Sequence, residues 1–175
     1  GFTHWAKLNN LKQAAKTINF LTEHGISSYE ELESKLTALS AWRDTAHAEI
    51  KRIESRSAEL TLVMKHAETY RQLKPIYDRY RKSNNKEKFL RGHESEIILF
   101  EAAARELKRL GAVPLPTTES MKTELANLNA EKERLLAEYK TARTEAQEYD
   151  TVKQNVDALL TVPKEQEQQR RHELE

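Results

Sequence analysis

Between Gly25 and Pro75, and again between Pro116 and Pro163, the chain contains neither glycine nor proline. Both stretches carry apolar residues in a 4-3 alternation. In the first these are Leu32, Leu36, Leu39, Ala46, Ile50, Ile53, Leu60, Met64 and Ala67, interrupted by Arg43 and Ser57. In the second they are Met121, Leu125, Leu128, Leu135, Tyr139, Ala142, Ala146, Tyr149, Val156 and Leu160, interrupted by Lys132 and Lys153. Such spacing lines up each set on one face of a helix. At roughly 1.5 Å per residue each helix is about 70 Å long. Two stripes of matching length predict an all-α fold: a long antiparallel two-helix coiled coil, with a short N-terminal helix at one end and a small helical cap at the other. A parallel homodimeric coil is the rival arrangement.

Local signals set the predicted boundaries: helices over about 4–24, 28–74, 76–83, 93–110 and 118–161, making one helical domain over 1–162. Thr3 caps the first, which carries Trp5, Leu8, Leu11, Ala15, Ile18 and Leu21 and stops at Gly25. Ser28-Tyr-Glu-Glu31 reads as a capping box opening the second. Pro75 lacks an N–H and its ring clashes with the Arg71 carbonyl, so a break or kink is expected there. Ser83-Asn84-Asn85 forms a polar break, Gly111 stops the next helix, and Thr117 or Thr118 caps the last. Beyond Pro163 the sequence KEQEQQRRHELE has almost nothing to bury, so 163–175 is expected to be a disordered polar tail. The start at Gly1 rather than Met suggests an excised fragment, and Leu174-Glu175 reads equally as native or as a cloning remnant.

Composition agrees. Apolar residues make up 38% of the chain and charged ones 33%, too little apolar material for a thick core. With no cysteine there is no disulfide framework and no thiolate ligand. No apolar run approaches the roughly 20 residues of a membrane span, and no signal-like segment is present, so no membrane is expected and the cytoplasm is the default location.

Catalysis finds no support in the spacing. In RGHESEI (91–97) a zincin-type site would need a second histidine four residues after His93, where Ile97 stands. Glu94 and Glu96 fit the negatively charged first turn of a helix, and Lys108 and Arg109 its last turn. The six histidines are scattered, Asp44 and His47 make at most a surface pair, and no phosphate-cradling loop exists. No catalytic residue, metal or cofactor is expected.

One stretch does stand out. YRQLKPIYDRYRKSNNKEKFLR (70–91) holds eight cations, Arg71, Lys74, Arg79, Arg81, Lys82, Lys86, Lys88 and Arg91, against Asp78 and Glu87 alone. Tyr70, Tyr77, Tyr80 and Phe89 are interleaved. Cations with stacking-capable rings suit single-stranded nucleic acid, and Tyr77 and Tyr80 can share one face as a stacking surface. Alternatively, the rings pack the helical cap while the charges keep it soluble.

The segments HWAKLNNLKQAAKTINFLTEHGI, SYEEL, KFLRGHESEIILFEAAARELKRLG, LPTTESM and NVDALL, in this order, resemble the C-terminal helical region of relaxases. These are the mobilisation nucleases of conjugative and mobilisable elements in Gram-positive bacteria. The resemblance runs from about His4 to Leu160. Such enzymes nick one strand at the transfer origin through a tyrosine, aided by a metal on a His-hydrophobic-His motif. No such motif and no nucleophilic tyrosine is matched here, since both belong to an N-terminal domain this chain lacks. The resemblance therefore implies a non-catalytic accessory domain of a tyrosine relaxase. Its implied partners are transfer-origin DNA, the coupling protein or accessory mobilisation proteins of a type IV secretion system, or a second copy in a homodimer. Two roles follow: a DNA-contacting arm acting through the basic stretch, or a protein-interaction rod without nucleic-acid contact.

Overall fold

The computed structural model describes the backbone of residues 2–174, and the side chains of residues 9–161 and 168–174. The described residues form four helices: α1 (Phe2–Glu23), α2 (Tyr29–Lys82), α3 (Lys86–Arg109) and α4 (Thr118–His172). Among the described residues there is no strand, and the long helices pack against one another.

The helix ends follow from local chemistry. Gly25 and Gly111 take φ of +64° and +69°, the left-handed region where a missing Cβ removes the steric cost. At each, the next residue's N–H donates five residues back, Ile26 to the Leu21 carbonyl and Ala112 to that of Leu107. The glycine N–H itself donates three back, to Thr22 and Lys108 respectively. This pairing satisfies the carbonyls a helix end leaves open. The Ser28 hydroxyl accepts from the Glu31 N–H at 3.1 Å, as a capping box requires. Its other half is displaced by one residue, because the Glu31 carboxylate accepts from the Ser27 N–H at 2.7 Å and the Ser27 hydroxyl at 3.0 Å. Thr117 caps α4, accepting from the Ser120 N–H at 3.1 Å.

Several boundaries differ from expectation. α1 already starts at Phe2, so Thr3 lies inside it rather than capping it. α2 runs through Pro75 to Lys82, merging the expected helices 28–74 and 76–83. Tyr70 and Tyr77, two turns apart on either side of the proline, both stack on Phe100, with ring centroids at 4.7 and 4.2 Å. Packing on both sides of the missing hydrogen bond holds the helix together. α3 begins at Lys86 rather than near 93, and the expected start survives as a kink at His93 (φ −136°, ψ 23°). α4 continues past Pro163 to His172, where a disordered tail was expected.

The fold divides into two compact units, residues 1–48 with 136–175, and residues 49–135. In the first, Leu32, Tyr149 and Val152 form a buried cluster, with Phe20, Leu21, Ile26, Leu36, Leu39 and Val156 packed against it. Phe20 meets Tyr149 edge-on at 5.1 Å. Ala46, Ala142 and Ala146 are also buried. The Tyr29 hydroxyl donates to Asp157 at 2.6 Å, and the His47 and Tyr139 rings lie 5.6 Å apart. Lys153, one of the stripe's interruptions, carries its ammonium out to Asp157 at 3.6 Å and over the Tyr29 ring.

Of its expected stripe the first helix packs Leu21 but leaves Leu11, Ala15 and Ile18 exposed. Thr17, Phe20 and Leu21 face inward, with the Thr17 hydroxyl donating to the Gln13 carbonyl, whereas Leu11 and Ile18 are 66% and 59% exposed. Phe20, outside the Leu11–Ala15–Ile18 stripe, makes the aromatic contact with Tyr149. The expected core positions Trp5 and Leu8 lie outside the described side chains. Leu160, expected in the α4 stripe, is exposed.

The second unit buries Ile50, Ile53, Leu60, Val63 and Ala67 of α2, Met121, Leu128 and Leu135 of α4, and Ile97, Phe100, Ala103 and Leu107 of α3. The α3 residues recur every three or four positions, which places them on one helix face. Each buried Ile, Leu, Val, Met or Phe side chain contributes about 1.5–3 kcal/mol by leaving water. At its margins Arg56 donates to Glu124 at 2.7 Å, and Lys132 pairs with Glu54 at 3.2 Å. Lys132 interrupts its stripe by reaching outward. Ser57 interrupts by staying in: its hydroxyl is buried with no hydrogen-bond partner.

Candidate nucleic-acid interface

The basic stretch spans the last turns of α2, the Ser83–Asn85 break and the first turns of α3. The break is held locally. The Asn85 side chain accepts from the Lys88 N–H at 3.1 Å, and the Ser83 hydroxyl accepts from the Asn85 N–H at 3.2 Å. Cations from both helices are thereby fixed around one turn.

The ten candidate residues separate into three groups. Arg71 is a structural residue: its two terminal nitrogens donate to the Thr118 hydroxyl at 2.7 Å and the Pro116 carbonyl at 2.6 Å, securing the segment before α4. Lys74 pairs with Asp78 at 2.8 Å, and that hydrogen bond raises the lysine's pKa and lowers the carboxyl's. The neighbouring charges of Lys82 and Arg81 lower Asp78 further. Arg91 is held only loosely, 3.8 Å from Glu87 with both side chains extended into water.

Arg79, Arg81, Lys82, Lys86 and Lys88 form the second group. All five are exposed and make no ion pair among the described residues. Arg79 also lies over the Phe89 ring, 5.6 Å from its centre.

The third group is Tyr77 and Tyr80, and here the stacking surface expected from their spacing is not what the structure presents. Tyr77 stacks on the buried Phe100, Tyr80 lies 6.1 Å from Tyr77 and 6.2 Å from Phe89, and Phe89 stacks on His93 at 4.6 Å. The rings form a continuous internal series joining α2 to α3, and all of Tyr77, Tyr80 and Phe89 are half-buried. Phe100, the residue that organises this series, was missed in the sequence. The available signal was Tyr70 and Tyr77 seven residues apart on one helix face, awaiting an apolar partner.

RGHESEI also finds its place. His93 sits at the α3 kink, with Nδ1 3.0 Å from Glu96 Oε2, so the ring donates to the carboxylate across one turn. The first turn of α3 is therefore 86–89, with Glu87 its acidic residue, and Glu94 and Glu96 follow the kink instead. Among the described residues no group of three or more metal-binding side chains comes together.

Helix electrostatics account for three of the five cations. Arg79, Arg81 and Lys82 occupy the last turn of α2, where positive charge complements the carbonyl end of the helix. Lys86 and Lys88 occupy the first turn of α3, where the same dipole disfavours them. No protein-family model, curated protein or solved structure matches this chain.

Proposed function

We propose that this chain is a non-catalytic accessory region of a DNA relaxase, and that the turn between α2 and α3 contacts transfer-origin DNA through its phosphates. The observation that carries the reading is the set of five exposed, unpaired cations, Arg79, Arg81, Lys82, Lys86 and Lys88, gathered at one turn. Two of them stand where the helix itself disfavours positive charge, so a phosphate ligand supplies a reason for them that folding does not. The likeness of the chain to relaxase C-terminal regions supplies the biological setting: a cytoplasmic nickase whose catalytic tyrosine and metal belong to another domain.

The scaffold in this reading is an antiparallel coiled coil of α2 and α4. Supporting it, partner numbers fall along α4 as they rise along α2 within each unit. Tyr29 meets Asp157 and His47 meets Tyr139 in one; Glu54 meets Lys132, Arg56 meets Glu124 and Arg71 meets Thr118 in the other.

A second reading has its own observation. The exposed Leu11 and Ile18 share one face of α1 at heptad spacing, as a helix that docks on a coupling protein, an accessory mobilisation protein or a second copy would show. The two readings are separated by reversing Arg79, Arg81 and Lys82 to glutamate together. Mobility shift with transfer-origin DNA at low and physiological salt is then compared with thermal melting. The DNA-contact reading expects lost binding with an unchanged melting temperature. Unchanged binding by the variant, or none by the wild type at low salt, leaves the protein-interaction rod.

A further inference from the structure

We infer that the nucleic acid taken by the α2–α3 turn is duplex, gripped through its phosphates without reading bases; this rests on the DNA-contact reading above. The sequence pattern of cations and rings suits a single strand, whose unstacked bases need aromatic faces to lie on. The geometry withdraws those faces. Tyr70 and Tyr77 both stack against Phe100, itself 5% exposed. Phe89 is stacked on His93 and lies under the Arg79 guanidinium. Tyr80, the remaining ring, is half-buried between Tyr77 and Phe89. What reaches solvent is mostly cationic: Arg81, Lys82, Lys86 and Lys88, with Arg79 at the edge, and Asn84, Asn85 and Glu87 among them.

A surface offering five cations and, for stacking, only the half-buried Tyr80 ring favours the polyanion with the denser charge. A duplex carries one phosphate per roughly 1.7 Å of axis, about twice the density of either strand along the same axis. Lys82, Lys86 and Lys88 are point charges suited to phosphate rather than forks for base edges, and the Arg79 guanidinium is engaged over the Phe89 ring. The turn is therefore suited to holding double-stranded DNA at any sequence, and sequence choice falls to another part of the relaxase.

The test compares the full chain on a short mixed-sequence duplex, on each of its separated strands, and on a second duplex of scrambled sequence, all at low salt. Expected is a duplex affinity at least five-fold above either strand, with the two duplexes alike within two-fold. Tyr80→Leu, which removes a ring and no charge, is expected to change duplex affinity less than two-fold. Equal or tighter binding of a single strand overturns the duplex assignment while leaving the DNA-contact reading intact. A ten-fold preference between the two duplexes overturns the absence of base reading in the same way. No binding to any of these DNAs overturns both.

Discussion

Phe100 is the residue on which the second unit's α2–α3 packing depends most visibly, and its replacement gives a quantitative test. It is 5% exposed and stacks on two tyrosines, at interplanar angles of 27° and 24°. Phe100→Leu keeps most of the buried apolar volume but removes both stacks. At about 0.5–1.5 kcal/mol per aromatic pair, the loss is about 1–3 kcal/mol. Phe100→Ala adds the cavity and raises the cost to about 3–5 kcal/mol. Ile97→Val, on the same face of α3 and similarly buried, is the control at about 1 kcal/mol. Urea unfolding followed by far-ultraviolet circular dichroism measures all three. A double-mutant cycle of Phe100→Leu with Tyr77→Leu isolates one stack, with an expected coupling of about 1 kcal/mol. If Phe100→Leu costs no more than Ile97→Val and the cycle closes without coupling, α2 crosses Pro75 without help from these rings.

Two further changes probe the capping and the stripe. Ser57→Ala removes a buried hydroxyl without a partner and is expected to stabilise the chain by about 1 kcal/mol, seen as a higher melting temperature; a drop would show that the hydroxyl is satisfied. Glu31 is held below the usual carboxylate range, first by the Ser27 N–H and then by its hydroxyl. Its lowered folded pKa makes its contribution fully present above the unfolded carboxylate value and lost as pH falls through the folded one. Glu31→Gln is therefore expected to flatten the acid side of the stability–pH curve, and an unaltered slope would remove the displaced capping box from the account.

The helical class was legible in the heptads because burial leaves a periodic record: Ile53, Leu60, Met121, Leu128 and Ala142 all lie where the 4-3 spacing puts them. Glycine stops were legible for a similar reason, since Gly25 and Gly111 occupy backbone conformations that other residues resist. Pro75 misled because its cost is local, whereas the Tyr70–Phe100–Tyr77 stack that offsets it joins residues far apart in sequence. The α1 face misled because Leu11 and Ile18 have the right period, but Phe20 makes the aromatic contact with Tyr149. In the candidate interface the cations could be read directly from the sequence. The fate of the rings could not, because whether a tyrosine is a platform or a packing element depends on what lies opposite it.

If the cations of the α2–α3 turn bind phosphate as proposed, binding releases counterions and its strength depends on salt. Fluorescence anisotropy of labelled transfer-origin DNA, titrated with the chain across a series of salt concentrations, gives the slope of log affinity against log salt. Five engaged cations predict a slope of about −4.5 on duplex, and removing Arg79, Arg81 and Lys82 by charge reversal should bring it to about −2 or shallower. A wild-type slope near zero, or one the triple variant leaves unchanged, would contradict phosphate binding by these cations.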